Sequence, residues 1–189
     1  MEAGIGGTML WRRLDAPGHD VGALLAAPGG PALCGMATFR DQGVPCAIRY
    51  QVTCDARWHT ISARVDGWRD GRLVELRIRA SDGSWFLNDR PCVSVAGCVD
   101  VDLSFTPATN LLPLRRLRLA VGAAAEVRSA WLAWPDAELA PLRQRYVRRS
   151  ADTYAYEADV PGGGRFAATL RVSPDGWVLD YGDLWRAEE

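Results

Sequence analysis

The sequence contains no lysine and only two histidines. All 22 of its cationic residues are arginine, and they nearly balance 23 acidic residues to leave a net charge of -1. This balance is not that of a protein built around a strong positive field, so we expect neither nucleic acid nor a membrane surface as partner. Because His19 and His59 are the only histidines, the sequence argues against a zinc site and against a Ser-His-Asp arrangement. We predict no metal and no cofactor.

Long apolar runs and paired cysteines are also lacking. No window approaches the ~20 apolar residues that a membrane-spanning helix needs, and residues 1–14 lack the basic segment and apolar run of a signal peptide. The cysteines form no C-x-x-C pair and are odd in number, so at least one stays unpaired within the chain; they are Cys34, Cys46, Cys54, Cys92 and Cys98. We interpret them as small buried residues. The prediction is a cytoplasmic protein without an integral membrane segment.

Short alternating segments separated by turn residues dominate the rest of the chain. Residues 44–55 alternate cleanly between apolar and polar side chains, and Asp41-Gln42-Gly43 marks the turn that joins them to a strand at 33–40. Regular turn spacing of this kind is typical of a meander. A length of 189 residues suggests one domain. We predict an all-β fold over 1–189, a convoluted antiparallel barrel or spiral β-roll.

The chain also repeats itself. Arg49-Tyr50 is echoed by Arg145-Tyr146, Leu76-Arg77-Ile78 by Leu170-Arg171-Val172, and Asp82-Gly83 with Trp85 by Asp175-Gly176-Trp177. The offset drifts by only a few residues, which two small deletions reconcile. We predict an internal duplication with halves at about 33–96 and 127–187, joined by a central motif at 97–121.

The central motif begins with a predicted strand at 99–106. Its odd positions are apolar, whereas its even positions are Asp100, Asp102, Ser104 and Thr106. We predict a short turn from Pro107 to Pro113 and a second strand through 116–121. Residues two apart on a strand lie about 6 to 7 Å apart, so the two aspartates would share one wall. Whether that wall faces solvent or a cavity decides the function.

Two interpretations of the polar residues stay open. In the first, a ligand site combines the donors and acceptors of Asp100, Asp102, Thr106, Asn110 and Arg116 with cavity-lining aromatic side chains; the aromatic candidates are Tyr50, Trp85 and Trp131. In the second, these polar groups form a structural network. Arg115 or Arg116 then pairs with an aspartate, and Asn110 holds the turn.

The motif resembles that of a bacterial family described as putative glycolipid-binding proteins. The similarity rests on Gly97-Cys98-Val99-Asp100-Val101-Asp102-Leu103, Thr106-Pro107, Thr109-Asn110 and Leu112-Pro113-Leu114-Arg115-Arg116-Leu117, and extends to residues 50–60 and 82–85. The chain departs from the family pattern at Ala108, Leu111 and Leu114. The resemblance implies an all-β barrel or roll, similar in shape to lipoprotein-carrier folds, with an interior that could hold an acyl chain.

The resulting functional prediction is a non-catalytic protein that holds a glycolipid or another amphipathic small molecule inside its β-barrel or roll. One alternative is a carbohydrate-active hydrolase, because Asp100 and Asp102 approach the carboxylate separation of inverting glycosidases. Another is a structural or interaction module with a filled core, which an exposed apolar patch would favour.

Overall fold

The computed structural model describes residues 6–160 and 163–188. The ends of the predicted 1–189 domain, and residues 161–162 of its second repeat, therefore lie outside the described part of the chain. The first eight strands come from the part of the chain before the central motif: β1 (Thr8–Arg13), β2 (Gly18–Ala27), β3 (Gly30–Asp41), β4 (Val44–Cys54), β5 (Thr60–Arg69), β6 (Arg72–Ser81), β7 (Ser84–Leu87) and β8 (Arg90–Pro91).

The remaining strands belong to the central motif and the second half. They are β9 (Asp100–Leu103), β10 (Ala124–Ala133), β11 (Glu138–Arg148), β12 (Thr153–Asp159), β13 (Arg165–Val172), β14 (Val178–Tyr181) and β15 (Trp185–Glu188). Two 3₁₀ turns, Val93–Val95 and Ala108–Asn110, and one α-helix, α1 (Leu111–Leu117), complete the described elements. The predicted all-β class is confirmed.

All these strands join one curled sheet in the order β8-β7-β6-β5-β4-β3-β2-β1-β15-β14-β13-β12-β11-β10-β9. Neighbours pair antiparallel, except β9 and β10, which pair parallel. The sheet is therefore mixed, and its hydrogen-bonded order is open. Its β9 edge is held instead by a crossing contact at the start of β5, where Thr60 N donates to Val99 O at 3.0 Å and Val101 N donates to Thr60 Oγ1 at 3.0 Å.

The second half of the central motif is helical rather than extended. The predicted strand at 116–121 is wrong, because α1 continues to Leu117 and Arg118 then ends it in a left-handed conformation with φ 45°. Pro113 lies in the first turn, where its missing N–H is not needed. The apolar positions Leu111, Leu112 and Leu114 are all buried. Burial of this helical face outweighs the short alternation that favoured a strand.

Two further elements differ from prediction. The local sequence of 136–142 predicts a helical turn interrupted by Pro141, but most of this segment belongs to β11, which pairs with β10 from Glu138 to Val147. Strand β2 was not predicted, because its inward side carries Asp20 and Gly22 while apolar Val21 and Leu25 point outward and are exposed. An inverted pattern of this kind gives no amphipathic signal.

The buried side chains form two clusters on either side of α1. The larger one packs strands β1–β7 against β9, and its fully buried members include Trp11, Ile48, Tyr50 and Trp85. The smaller one lies under β10–β14 and is rich in tyrosine. Helix α1 contributes Leu111 and Leu112 to the first cluster, whereas Leu114 belongs to the second. The central motif therefore lies between the two halves of the core.

The echoed residues occupy matching strands. Tyr50 lies in β4 and Tyr146 in β11, and both are buried with their rings inside the sheet. Leu76 in β6 corresponds to Leu170 in β13, and both are core residues. The duplication itself stays a prediction.

Candidate functional site

A buried polar network in the first half joins two strands, β2 and β4, to the central motif. Tyr50 Oη donates to Asp20 Oδ2 at 3.0 Å, and Thr106 Oγ1 donates a short hydrogen bond to the same oxygen. The backbone N–H of Ala108 donates to Thr106 Oγ1 at 3.0 Å. Asp20 is completely buried, and its described hydrogen-bond partners include no cationic side chain. Burial raises the pKa of Asp20 to about 6, although the bonds from Thr106 and Tyr50 oppose the rise.

Glycine makes room for this network. Gly35 is the register partner of Tyr50 on β3. A Cβ atom at position 35 would lie 2.2 Å from Cζ and Oη of Tyr50 and 2.6 Å from the Val21 carbonyl. The tyrosine ring therefore crosses β3 only because this position lacks a side chain, and that crossing brings its hydroxyl to Asp20.

Asp100 belongs to an ion pair rather than to an open cavity. Its side chain is fully buried, and Arg116 on α1 binds it with both ends of the guanidinium, Nε to Oδ1 at 3.2 Å and Nη2 to Oδ2 at 2.5 Å. Desolvation raises the pKa of Asp100, and Arg116 counteracts that rise. A bidentate pair of this geometry fixes the helix on β9.

Asp102 lies in a different environment, although it is only two residues away. Gln144 on β11 donates from Nε2 to Asp102 Oδ2 at 2.6 Å and to Tyr156 Oη at 2.9 Å. Ser129 Oγ donates to the side-chain oxygen Oε1 of Gln144 at 2.7 Å, which holds the side-chain amide in place. The carboxylate of Asp102 is thus oriented by a neutral amide and faces the second half of the sheet.

The carboxylate of Asp102 is desolvated by the surrounding protein, yet the residue is partly accessible. Protein surrounds the carboxylate, and this desolvation raises its pKa to about 6, with a smaller contribution from the negative charge of Asp100. The residue nevertheless keeps some accessible surface. Asp102 is deeply placed yet partly accessible because it borders a pocket, which we call the aromatic pocket.

The aromatic pocket has a volume of about 170 Å³ and lies between the central motif and β10–β15. Its ring-bearing lining residues are Trp131, Tyr156, Phe166, Tyr181 and Trp185. The aliphatic ones are Leu142, Ala158, Val160 and Leu184, and the polar ones are Asp102, Ser104, Thr106 and Asn110. Ser104 and Val160 are the exposed members of this lining and mark its rim.

The tyrosines of the wall support one another. Tyr156 packs against Tyr146 at 5.0 Å between ring centroids and against Tyr181 edge to face at 5.7 Å. Tyr146 Oη donates to Asn110 Oδ1 at 3.0 Å, and Asn110 Nδ2 donates to the Pro107 carbonyl at 3.2 Å. The turn that supplies the polar floor is therefore tied to the aromatic wall.

Two of the larger depressions have a different character. One of about 480 Å³ is lined mainly by charged side chains, among them Arg143, Arg145, Glu157 and Arg165, and one of about 390 Å³ lies along β4–β7. Arg165 and Glu157 pair with each other at 3.0 Å. Ligand sites are usually concave and apolar with a few polar groups, so the aromatic pocket fits that pattern better despite its smaller size.

The structure divides the predicted site residues into two groups. The aromatic pocket brings together four of them, Asp102, Thr106, Asn110 and Trp131. Asp100, Arg116, Tyr50 and Trp85 lie outside its lining. Trp85 is a core residue whose Nε1 donates to the Cys98 carbonyl at 3.0 Å. The expected shared wall of Asp100 and Asp102 is not formed, because only Asp102 borders the pocket.

Sequence reasoning missed several residues of this region. Gln144, Tyr156, Phe166 and Tyr181 lie on four different strands, β11 to β14, and nothing local marks them as neighbours. The echo of Tyr50 by Tyr146 is the one signal that pointed toward this part of the sheet. Asp20 was missed because β2 was missed.

Three further observations bear on the other predictions. Within residues 6–160 and 163–188, no group of three or more potential metal ligands was found. No helix in the described residues is long and apolar enough to cross a membrane. Leu10, Val21 and Met36 are exposed and lie opposite one another across β1, β2 and β3, which forms an apolar row on the outer face.

Comparisons with known proteins agree with this architecture. The model of a family described as "Putative glycolipid-binding" matches residues 8–187. The chain is similar to the crystal structure of a DUF1089 family protein from Pseudomonas aeruginosa, with 30% sequence identity and a TM-score of 0.76 over 88% of this chain and 91% of that chain. No curated protein matched the sequence.

A second solved structure is similar in fold alone. It is a beta-barrel-like protein of the domain of unknown function DUF1849 from Brucella abortus, with 11% identity and a TM-score of 0.52 over 96% of this chain and 93% of that chain. Both matches span nearly the whole chain, so the similarity concerns the complete sheet.

Proposed function

The chain belongs to the putative glycolipid-binding family, and from that membership we propose that it binds a sugar-headed amphipathic molecule without catalysis, holding the head group in the aromatic pocket. One observation carries the proposal. The pocket presents five aromatic side chains and a carboxylate to the same small volume. Sugar rings pack on aromatic faces through their C–H surfaces, and their hydroxyls donate to carboxylate and amide oxygens.

The size of the pocket decides which part of the ligand it holds. A volume of about 170 Å³ is below the ~300 Å³ at which pockets for drug-sized ligands begin. It is close to the ~150 Å³ of an engineered cavity that holds benzene. The pocket therefore suits one ring-sized group, and an acyl chain does not fit inside together with it. This differs from our expectation that the hydrocarbon occupies the interior.

The tail has a separate path in this proposal. Leu142, Ala158 and Leu184 form the aliphatic part of the lining together with Val160, which is exposed. A hydrocarbon attached to the sugar would follow this aliphatic side outward.

The hydrolase alternative receives no support from the arrangement of the aspartates. Asp100 is buried in its ion pair with Arg116, whereas Asp102 faces the aromatic pocket. The interaction-module alternative has its apolar row at Leu10, Val21 and Met36, and it stays a prediction.

Ligand binding can be measured directly on the purified protein. Organic extraction followed by mass spectrometry tests for a co-purified lipid, and titration calorimetry compares octyl glucoside with methyl glucoside and with octanol. We expect octyl glucoside to bind more tightly than either fragment, because it alone occupies both the ring site and the aliphatic side.

A pocket-filling variant provides the matched test. Ala158 lines the pocket, so Ala158→Leu should occupy part of its volume and reduce binding at least about tenfold. Ala167 on β13 is exposed and outside the lining, so Ala167→Leu should leave binding unchanged. If no lipid is extracted and no member of the panel binds the natural protein, the proposed function is wrong.

A further inference from the structure

The aromatic pocket has an unbalanced charge. Asp102 is the one ionisable acidic side chain in its lining, and the described lining residues include no arginine or histidine. This contrasts with Asp100, whose charge is matched by Arg116 at hydrogen-bond distance. The pocket therefore contains a carboxylate that has no counterion among residues 6–160 and 163–188.

One oxygen of that carboxylate remains available to a ligand. Oδ2 of Asp102 accepts a hydrogen bond from Gln144, whereas no donor among the described residues reaches Oδ1. Trp134 Nε1 and Trp177 Nε1 are fully enclosed and have no partner in the described part of the chain, but Oδ1 of Asp102 is not enclosed in this way. It has no hydrogen bond from a described residue and keeps accessible surface on a side chain that lines the pocket.

The walls around this oxygen are suited to positive charge. Trp131 is the register partner of Asp102 on the adjacent strand, and Tyr156, Phe166 and Tyr181 continue the aromatic wall. The faces of aromatic rings attract ammonium groups, and the attraction strengthens when the site excludes water. A carboxylate and several aromatic rings around one small volume are the features that bind ammonium groups.

The charges on neighbouring elements do not cancel this preference. From its own strand, Asp102 is faced by the negative Asp100. From β11, β12 and β14 it is faced by the neutral tyrosines Tyr146, Tyr156 and Tyr181, whose pKa values burial raises. Two arginines are nearby. Arg116 is bound to Asp100, and Arg13, which lies over the Trp185 ring, is bound to Asp15 at 2.7 Å.

We propose that the aromatic pocket selects an ammonium-bearing head group, an amino sugar in particular, over its neutral or anionic counterpart. This inference rests on the proposed function, since it assumes that the head group enters this pocket. The ammonium would donate to Asp102 Oδ1 and lie against the aromatic wall. N-acetylation of the amine would remove both interactions.

Three octyl glycosides that differ at one position test the selection. Calorimetry at pH 7 would compare octyl glucosaminide, octyl N-acetylglucosaminide and octyl glucoside. We expect the glucosaminide to bind about tenfold more tightly than the other two, through a charge-assisted hydrogen bond and the cation–π contact. In Asp102→Asn the three should bind alike, so the preference for the glucosaminide is lost.

A permanent cation tests the same point without a substitution. Tetramethylammonium does not titrate, so any pH dependence of its binding arises from the protein. We expect its affinity to rise between pH 5 and pH 7.5, as Asp102 ionises, and to stay constant with pH in Asp102→Asn. Equal binding of all three glycosides by the natural protein, or tetramethylammonium binding that does not change with pH, overturns the ammonium preference and leaves glycolipid binding intact. Failure of every glycoside to bind overturns both.

Discussion

The two halves of the sheet place a buried tyrosine at matching positions and use it differently. Tyr50 in β4 reaches a carboxylate, Asp20, through the gap that Gly35 leaves. Tyr146 in β11 reaches an amide, Asn110, at the floor of the aromatic pocket. The first half is filled around its tyrosine, whereas the second half keeps a pocket of about 170 Å³ beside its own.

The difference shows which half of the sheet has polar groups free to bind a ligand. In the first half the polar groups bind one another, since Asp20, Tyr50 and Thr106 form a compact buried network. In the second half Gln144 holds only one oxygen of Asp102 and leaves the other open. A polar group that the fold leaves partly unbound is a group that a ligand can use.

The largest expected effect is a loss of stability from a substitution in the first half of the sheet. Gly35→Ala would place a Cβ 2.2 Å from the Tyr50 ring and 2.6 Å from the Val21 backbone carbonyl, and neither can move freely. We expect a loss of about 3 kcal/mol or more in the free energy of unfolding, measured by chemical denaturation. Met36→Ala, at an exposed position of the same strand, should change it by less than about 0.5 kcal/mol. Comparable stability of the two variants would show that the tyrosine does not need the glycine.

The next effect is a pH dependence shared by both halves. Asp20 and Asp102 have pKa values raised to about 6 in the folded protein, compared with ~3.9 in an unfolded chain. Because folding raises these values, each contribution to stability is complete below about pH 4 and is lost as the pH rises through about 6. The loss amounts to roughly 3 kcal/mol per group.

Amide variants assign this dependence to the two halves. We expect Asp20→Asn to reduce the slope of the free energy of unfolding against pH between pH 4 and pH 7, by the amount that corresponds to about one proton. Asp102→Asn should reduce this slope by a similar amount. Denaturation at several pH values measures the slopes. A profile for Asp20→Asn that runs parallel to that of the natural protein would mean that Asp20 is already ionised at little cost.

The smallest effect compares the two tyrosine hydroxyls. Tyr50→Phe removes a hydrogen bond to a carboxylate, so we expect a loss of about 2 kcal/mol, whereas Tyr146→Phe removes one to an amide and should cost about 1 kcal/mol. Tyr154→Phe serves as control, because its hydroxyl has no hydrogen-bond partner among the described residues. The reverse order of the first two would contradict the contrast between the halves.

Much of the scaffold could be predicted from the residue pattern. The hairpin of β3 and β4 alternates so regularly that its strands were placed within a few residues. The pattern failed at β2, where a buried aspartate and glycine face inward, and at α1, where a leucine-rich turn was interpreted as a strand. In both places long-range packing outweighs the local signal.

The candidate site was predicted only in part, for a related reason. Four of the predicted site residues, Asp102, Thr106, Asn110 and Trp131, line one pocket, and three of them share the central motif. The alternation of polar residues could not separate Asp100 from Asp102. Their different roles depend on Arg116 and Gln144, which approach from a helix and from another strand.

The amino-acid sequence by itself determined the β class of this protein, its family and the position of its central motif, because alternation, turn residues and a long motif are local properties of a chain. Which carboxylate is neutralised and which is left open was decided only by the tertiary structure. The curled sheet brings Gln144, Tyr156 and Tyr181 to one side of Asp102, and such an encounter between distant strands leaves no trace in the sequence around any one of them.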